Sequence, residues 1–117
     1  MKKANLLSWM FITLFFIYSC SKNSSDTGGS TVNCDVVEKS FATNVNPLIQ
    51  TFCNQASCHN PGSINGPGPL TNYNQVFNAR STIRSVVQSG FMPQNTTLTA
   101  AQKNTIICWI DNGAPDN

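Results

Sequence analysis

The sequence beyond residue 33 predicts a small all-α domain of three to five short helices, joined by loops rich in glycine and proline. Apolar residues recur there at helical spacing, start and stop signals flank these segments, and no stretch alternates as a strand does. About 85 residues follow the polar stretch at 21–30, and a domain of this size has a marginal apolar core. Because helices this short are unstable alone, we expect a disulfide or a cofactor to support their packing.

The first α-helix is predicted in the stretch FATNVNPLIQTFC. Asn46 is a plausible N-cap, and Pro47 then occupies the first helical position, where its missing N–H costs nothing. The helix is short and delivers Cys53 at its C-terminal end.

The second helix follows a loop, because NPGSINGPGPL at 60–70 contains three glycines and three prolines. Helical spacing resumes in TNYNQVFNARSTIRSVVQSG, and Gly90 is suited to end this helix as a left-handed residue. The apolar residues of the helix fall on two faces, with Tyr73, Val76 and Phe77 on one and Ile83, Val86 and Val87 on the other.

The last helix carries the clearest signals, in LTAAQKNTIICWIDNGAPDN. Thr99 and Gln102 form the T-x-x-Q pattern of a capping box, and Leu98 can pack against the first turn. Gly113, followed by Pro115, stops the helix. Its broad apolar side consists of Ile106, Ile107, Trp109 and Ile110.

The N-terminus indicates export. A basic start, MKK, precedes an apolar run of about ten residues, which is typical of a secretory signal peptide and is too short for a membrane span of roughly 20. The stretch IYSC at 17–20 resembles the cleavage box of bacterial lipoproteins. We therefore assign residues 1–19 to a signal peptide and Cys20 to lipidation; the alternative is an ordinary signal cleaved elsewhere, with Cys20 unmodified.

Residues 20–33 are predicted to form a lipid-anchored flexible tether, because SKNSSDTGGS is small and polar and has nothing to bury. The folded domain is then 34–117. Without the signal peptide, five basic residues balance five acidic ones. This neutral balance argues against nucleic acid as a partner.

The stretch CNQASCH places Cys53 and Cys58 five positions apart, with the only histidine of the chain, His59, directly after them. Two thiols and an imidazole this close fit a disulfide loop beside an unrelated histidine, part of a zinc site, or an attachment point for haem. Zinc is disfavoured, because structural zinc sites usually contain two close cysteine pairs and export favours oxidation of thiols.

The order of these features resembles the small monohaem c-type cytochrome domain of bacterial lipoproteins. The resemblance runs from Phe41 to Asn117 and is carried by CNQASCH, by FMP at 91–93 and by LTAAQKNTIICWIDNGAP. One departure is that four residues, NQAS, separate the thiols, whereas the usual attachment signal is C-x-x-C-H. Two extra residues can bulge out of the loop without changing the final Cys-His step.

The resemblance implies a cytochrome c-like fold around a covalently bound haem c. Cys53 and Cys58 would form thioethers with the haem, and His59 and Met92 would be the axial ligands of its iron. Met92 is the methionine that remains once the signal peptide is removed. The alternative for Met92 is an ordinary core side chain.

The resemblance also implies a disulfide between Cys34 and Cys108, because the first and last helices of cytochrome c folds cross and pack. The alternative is two separate buried thiols. Arg80 and Arg84, one helical turn apart, are candidates to neutralise the haem propionates. Solvated surface charges are an equal alternative for these two arginines.

We therefore expect an electron carrier and not an enzyme, exported and held by its lipid on a membrane, facing the periplasm or the cell surface. Its partner would be a redox protein such as a dehydrogenase or an oxidase. No acid–base constellation favours an enzyme, because the mature chain has one histidine, one glutamate and four aspartates near the domain's ends. Two other classes stay open: a disulfide-stabilised exported binding lipoprotein without haem, and a haem-based sensor or enzyme with an open distal site.

Overall fold

The computed structural model describes residues 32–117, so the predicted signal peptide, the predicted lipidation of Cys20 and most of the tether lie outside the described residues. Three α-helices form the described domain, and it contains no strand: α1 is Asn46–Phe52, α2 is Tyr73–Ser89 and α3 is Ala100–Asp111. A 3-10 turn at Cys34–Val36 and a π-helical turn at Phe41–Val45 precede α1. The prediction of a helical domain is confirmed for this part of the chain.

The start of the first helix differs from the prediction, and the N-cap role given to Asn46 is wrong. Ser40 caps the helical stretch instead, because its hydroxyl accepts a hydrogen bond from the N–H of Thr43 at 3.4 Å. Pro47 accounts for the wide turn that follows, since its ring clashes with the carbonyl four residues earlier. The N–H of Asn46 bonds to the carbonyl of Phe41, five residues back, and the wide turn runs directly into α1.

Helix α2 ends as predicted. Gly90 follows its last residue with a φ of 76°, a left-handed conformation that glycine adopts without a Cβ clash. At the other end, the side-chain oxygen of Asn72 accepts a hydrogen bond from the N–H of Gln75 at 3.1 Å. The buried residues of α2 are Val76, Ala79, Ile83 and Val87.

The predicted capping box at the start of α3 is confirmed. The N–H of Gln102 donates to the Thr99 hydroxyl at 3.2 Å, and the N–H of Thr99 donates to the Gln102 side-chain carbonyl at 2.8 Å. Leu98, just before the helix, is buried. The buried residues of α3 are Ile106, Ile107, Cys108 and Trp109.

An aromatic cluster joins the π-helical turn, α2 and α3. The ring of Phe41 lies 5.0 Å from that of Tyr73, edge to face, and 5.3 Å from that of Trp109. The Tyr73 hydroxyl donates to the carbonyl of Ala114, and the Trp109 indole N–H donates to the carbonyl of Pro115, both at 2.9 Å. These two bonds fix the chain that follows α3 against the core.

The predicted disulfide between Cys34 and Cys108 is confirmed. The two Cα atoms are 5.3 Å apart and the residues are 74 positions apart in sequence. Cys108 is fully buried in α3, and the Lys39 ammonium donates to the carbonyl of Cys34 at 2.9 Å. The bridge therefore ties the start of the domain to its last helix.

Candidate functional site

The described domain contains a cleft of about 1040 Å³, at the upper end of the roughly 300–1,000 Å³ of cofactor sites. Its walls come from the end of α1 with CNQASCH, the Gly/Pro loop, the second half of α2, and the segment after α2. Cys53, Cys58, His59 and Met92 all line it. The fold thus brings together the four side chains that the resemblance assigns to a haem.

His59 is held in one orientation in this cleft. It is 7% exposed, and its Nδ1 lies 2.9 Å from the carbonyl oxygen of Gly68. Because a carbonyl oxygen can only accept, Nδ1 carries the hydrogen of the neutral ring, and Nε2 keeps a lone pair for an iron or another metal. Such a hydrogen bond orients and strengthens a ligating imidazole. A backbone hydrogen bond also holds this residue in place, since the N–H of His59 donates to the carbonyl of Cys53 at 3.1 Å.

Cys53 and Cys58 are half-buried thiols that take no part in the disulfide. Cys53 follows α1, and its N–H donates to the carbonyl of Ile49 at 2.9 Å. Burial raises the pKa of the Cys53 thiol from its ordinary value of 9.0 to about 11, and the charge of a neighbouring Cys58 thiolate adds to the effect. Cys53 is therefore a neutral S–H group at physiological pH, which suits an apolar cleft.

Met92 enters the cleft from the segment after α2. Its N–H donates to the carbonyl of Val86 at 3.1 Å, and this bond ties the segment to the helix. Val86, Ile83 and Val87 give the cleft an apolar wall on the α2 side. The thioether of Met92, a soft and neutral ligand, therefore belongs to the same cleft as the His59 imidazole.

The lining of the cleft contains no Asp, Glu, Lys or Arg from the described residues. Arg84 instead pairs with Asp111 of α3 through two hydrogen bonds, at 2.6 and 2.9 Å, and this pair lowers the pKa of the Asp111 carboxyl. The Arg80 guanidinium lies 3.9 Å above the ring of Phe77. Neither arginine is among the residues that line the cleft, and the propionate contacts stay a prediction.

The described donors are not arranged as a structural zinc site. Within residues 32–117, no three His, Cys, Asp or Glu side chains are grouped so that they could hold a metal ion, whereas structural zinc needs four ligands within about 2.0–2.3 Å of one point. Cys34 and Cys108 are also consumed by the disulfide. A haem needs thiols at its edge and an imidazole at its centre, and donors distributed around one cleft fit that requirement.

Sequence reasoning missed the groups that orient these donors. The carbonyl of Gly68 fixes His59, and the side chains of Ser63 and Asn65 both donate to the carbonyl of Cys58. All three lie in the Gly/Pro loop, whose composition predicted an irregular chain but not its contacts. The sequence signal for these contacts was the presence of two polar residues, Ser63 and Asn65, among the glycines and prolines of the loop.

Comparisons of the chain with protein-family models, with curated proteins and with solved structures return no match. Among the helices of residues 32–117, none combines the length and the apolar character needed to cross a bilayer. The cleft and its donors therefore carry the functional interpretation.

Proposed function

We propose that this chain is an electron-transfer protein, a monohaem c-type cytochrome with a cytochrome c-like fold. One observation carries the proposal: Cys53, Cys58, His59 and Met92 line a single cleft of about 1040 Å³, although Met92 lies 33 positions beyond His59. Neither a disulfide loop beside an unrelated histidine nor an ordinary core methionine requires this convergence. The strand-free architecture of the described residues is compatible with the fold.

The four side chains would divide the work of holding haem c. Cys53 and Cys58 would each add to one vinyl group, His59 would ligate the iron through Nε2, and Met92 would ligate it through its sulfur. When bound, the haem iron supplies a one-electron couple, and a thioether ligand favours a relatively high reduction potential.

The remaining residues would support and shield this set. The Gly68 carbonyl holds the His59 ring, and the Val86 carbonyl holds the segment that carries Met92. The aliphatic wall of α2 would exclude water from the cleft. If His59 and Met92 both ligated the iron, no open position would remain on it for a substrate, and the protein would act as a carrier.

We further propose that the carrier is exported and anchored through a lipid on Cys20, with 20–33 as its tether. It would face the periplasm or the cell surface and exchange electrons with a redox protein such as a dehydrogenase or an oxidase. The sequence MKKANLLSWMFITLFFIYSC supports this part of the proposal.

Production of the chain together with a haem-maturation system tests the proposed function. We expect a red protein whose visible spectrum changes reversibly between an oxidised and a reduced form, and whose reduced form does not bind CO readily. A colourless protein contradicts the proposal. A five-coordinate reduced form that binds CO readily assigns the cleft to a sensor or an enzyme.

Two variants make this test specific to the site. His59→Ala should prevent formation of a stable holoprotein, because the proximal ligand is lost. Gln94→Ala is the matched control, since Gln94 also lines the cleft and has no assigned role. Normal red protein from His59→Ala would overturn the ligand assignment.

A further inference from the structure

The first half of the spacer NQAS closes the end of α1. The side-chain amide of Gln55 donates to the carbonyls of Gln50 and Thr51, at 3.2 and 2.6 Å. The side-chain amide of Asn54 donates to the side chain of Gln50 at 2.5 Å. The N–H of Cys58 donates to the carbonyl of Gln55 at 2.9 Å, so the reversal of the chain falls on the second half of the spacer, at 56–57.

The second half of the spacer is held from the Gly/Pro loop. The Asn65 side-chain amide donates to the carbonyls of Ser57 and Cys58, at 2.9 and 3.0 Å. The Ser63 hydroxyl donates to the same carbonyl of Cys58 and accepts the N–H of Asn65 at 3.2 Å. We call the side chains of Asn65 and Ser63 the clasp.

Ser57 is the residue on which the clasp acts. Its φ is 67°, in the left-handed region where the Cβ of a non-glycine residue crowds the backbone. Asn65 bonds the carbonyl of this residue and that of the next, so it holds the peptide between them in place. The N–H of Cys58 also closes the turn on the carbonyl of Gln55. Without the clasp, this backbone bond would have to hold Ser57 at its positive φ, and we expect the peptide that carries Cys58 to rotate more freely.

We propose that the clasp is the positioning device that allows the long spacer C-x4-C-H to form its second thioether. Asn65 and Ser63 keep Cys58 at the cleft, whereas Cys53 is placed by the end of α1 and does not depend on the clasp. This inference rests on the proposed function. In the step concerned, the Cys58 sulfur bonds to one vinyl carbon and the thiol hydrogen ends on the other. The double bond becomes single, nothing leaves, and no external oxidant or reductant is needed.

The variant Asn65→Asp tests the clasp, because it keeps the size of the side chain and removes both donated bonds. In holoprotein, we expect the thioether at Cys53 to remain while many molecules keep an alkylatable thiol at Cys58. Two lost hydrogen bonds should reduce the competent conformation about tenfold. Mass spectrometry after alkylation under denaturing conditions counts the thioethers, and the pyridine haemochrome spectrum reports a vinyl group that has not reacted.

A rescue and a control separate positioning from general damage. Ser57→Gly adopts a positive φ without a Cβ clash, so the double variant Ser57→Gly/Asn65→Asp should regain the second thioether. Asn95→Asp adds the same charge to the same cleft, and the Asn95 side chain makes no hydrogen bond to another described residue. We expect Asn95→Asp to keep both thioethers.

The apoprotein gives a readout that does not involve haem. The alkylation rate of Cys58 should rise about tenfold in Asn65→Asp, and by less in the milder variant Ser63→Ala, which also serves if Asn65→Asp does not fold. A wild-type chain that never takes up haem contradicts the proposed function, and the apoprotein rates then still decide whether the clasp exists. Two thioethers in Asn65→Asp, together with unchanged alkylation of Cys58, overturn the clasp.

Discussion

Removal of the disulfide should cost this domain a large part of its stability. The Cys34–Cys108 bridge spans 74 positions, so it closes a loop that contains most of the described domain. On the chain-entropy model, a loop of roughly 75 residues contributes about 4 kcal/mol, and proteins typically retain only about 5–15 kcal/mol in total. The Cα separation of 5.3 Å is ordinary for a disulfide, so we expect nearly the full contribution.

Cys34→Ala is the cleanest perturbation, because Cys34 is half-buried and the buried sulfur of Cys108 stays in place. We expect the free energy of unfolding of the holoprotein, measured in urea, to be about 4 kcal/mol lower for the variant than for the wild type. The variant is measured under reducing conditions. At a slope of roughly 2 kcal/mol per molar, this corresponds to a midpoint about 2 M lower. Cys108→Ala should cost about 1 kcal/mol more, since it also opens a cavity.

Val36→Ala is the control, because Val36 lies in the same 3-10 turn and is 81% exposed. It should change the free energy of unfolding by less than about 0.5 kcal/mol. A loss below about 1 kcal/mol in Cys34→Ala would show that the cross-link does not restrict the unfolded chain.

Three other changes test the site and its surroundings. Met92→Ala should keep the covalent haem but lose the weak near-infrared band of sulfur–iron ligation. It should also lower the reduction potential, within the roughly 0.8 V that axial ligands span. An unchanged band would show that Met92 does not ligate the iron. In the apoprotein, burial keeps Cys53 protonated, so its alkylation rate should rise with pH until about 11. At pH 8 the rate should be about a hundredfold below that of a thiol with the ordinary pKa. A rate that levels off near pH 9 contradicts the burial of this thiol. Arg84→Ala should lower the free energy of unfolding by less than about 1 kcal/mol, because Arg84 and Asp111 are 38% and 40% exposed. Because the pKa of Asp111 is lower in the folded protein, this contribution is present above the ordinary carboxylate pKa of about 4. It is lost as the pH falls through the pKa of Asp111 in the folded protein. A contribution that persists in strong acid or in 1 M salt contradicts the ion pair.

Local signals predicted much of the helical structure. The capping box of Thr99 and Gln102 lies within one helical turn, and Gly90 ends α2 through its own backbone freedom, so neither needs the rest of the fold. The first helix was predicted less well. Ser40 and Pro47 set its start locally, and contacts that are distant in sequence hold the stretch before it. Phe41 packs on Trp109 and on α2, and its N–H donates to the Asn117 side chain at 2.9 Å.

The candidate site was also predicted only in part, since its donors were predicted and the groups that hold them in place were not. The pattern CNQASCH with a later methionine predicted the candidate donors that line one cleft, because their chemistry is visible in the residue types; their ligand roles stay a prediction. Their supports were not predictable, since the Gly68 carbonyl and the Asn65 amide reach them only through the path of the Gly/Pro loop. The propionate role of Arg80 and Arg84 was inferred from their charge and their spacing of one helical turn, and it stays a prediction.

If Cys53 and Cys58 hold a haem covalently, the intact mass of the denatured protein will include that haem. The chain should be produced with and without haem maturation, fully denatured, alkylated and weighed. We expect the matured chain to be heavier by one haem, with neither Cys53 nor Cys58 alkylated. An unchanged mass with both cysteines alkylated would contradict the account.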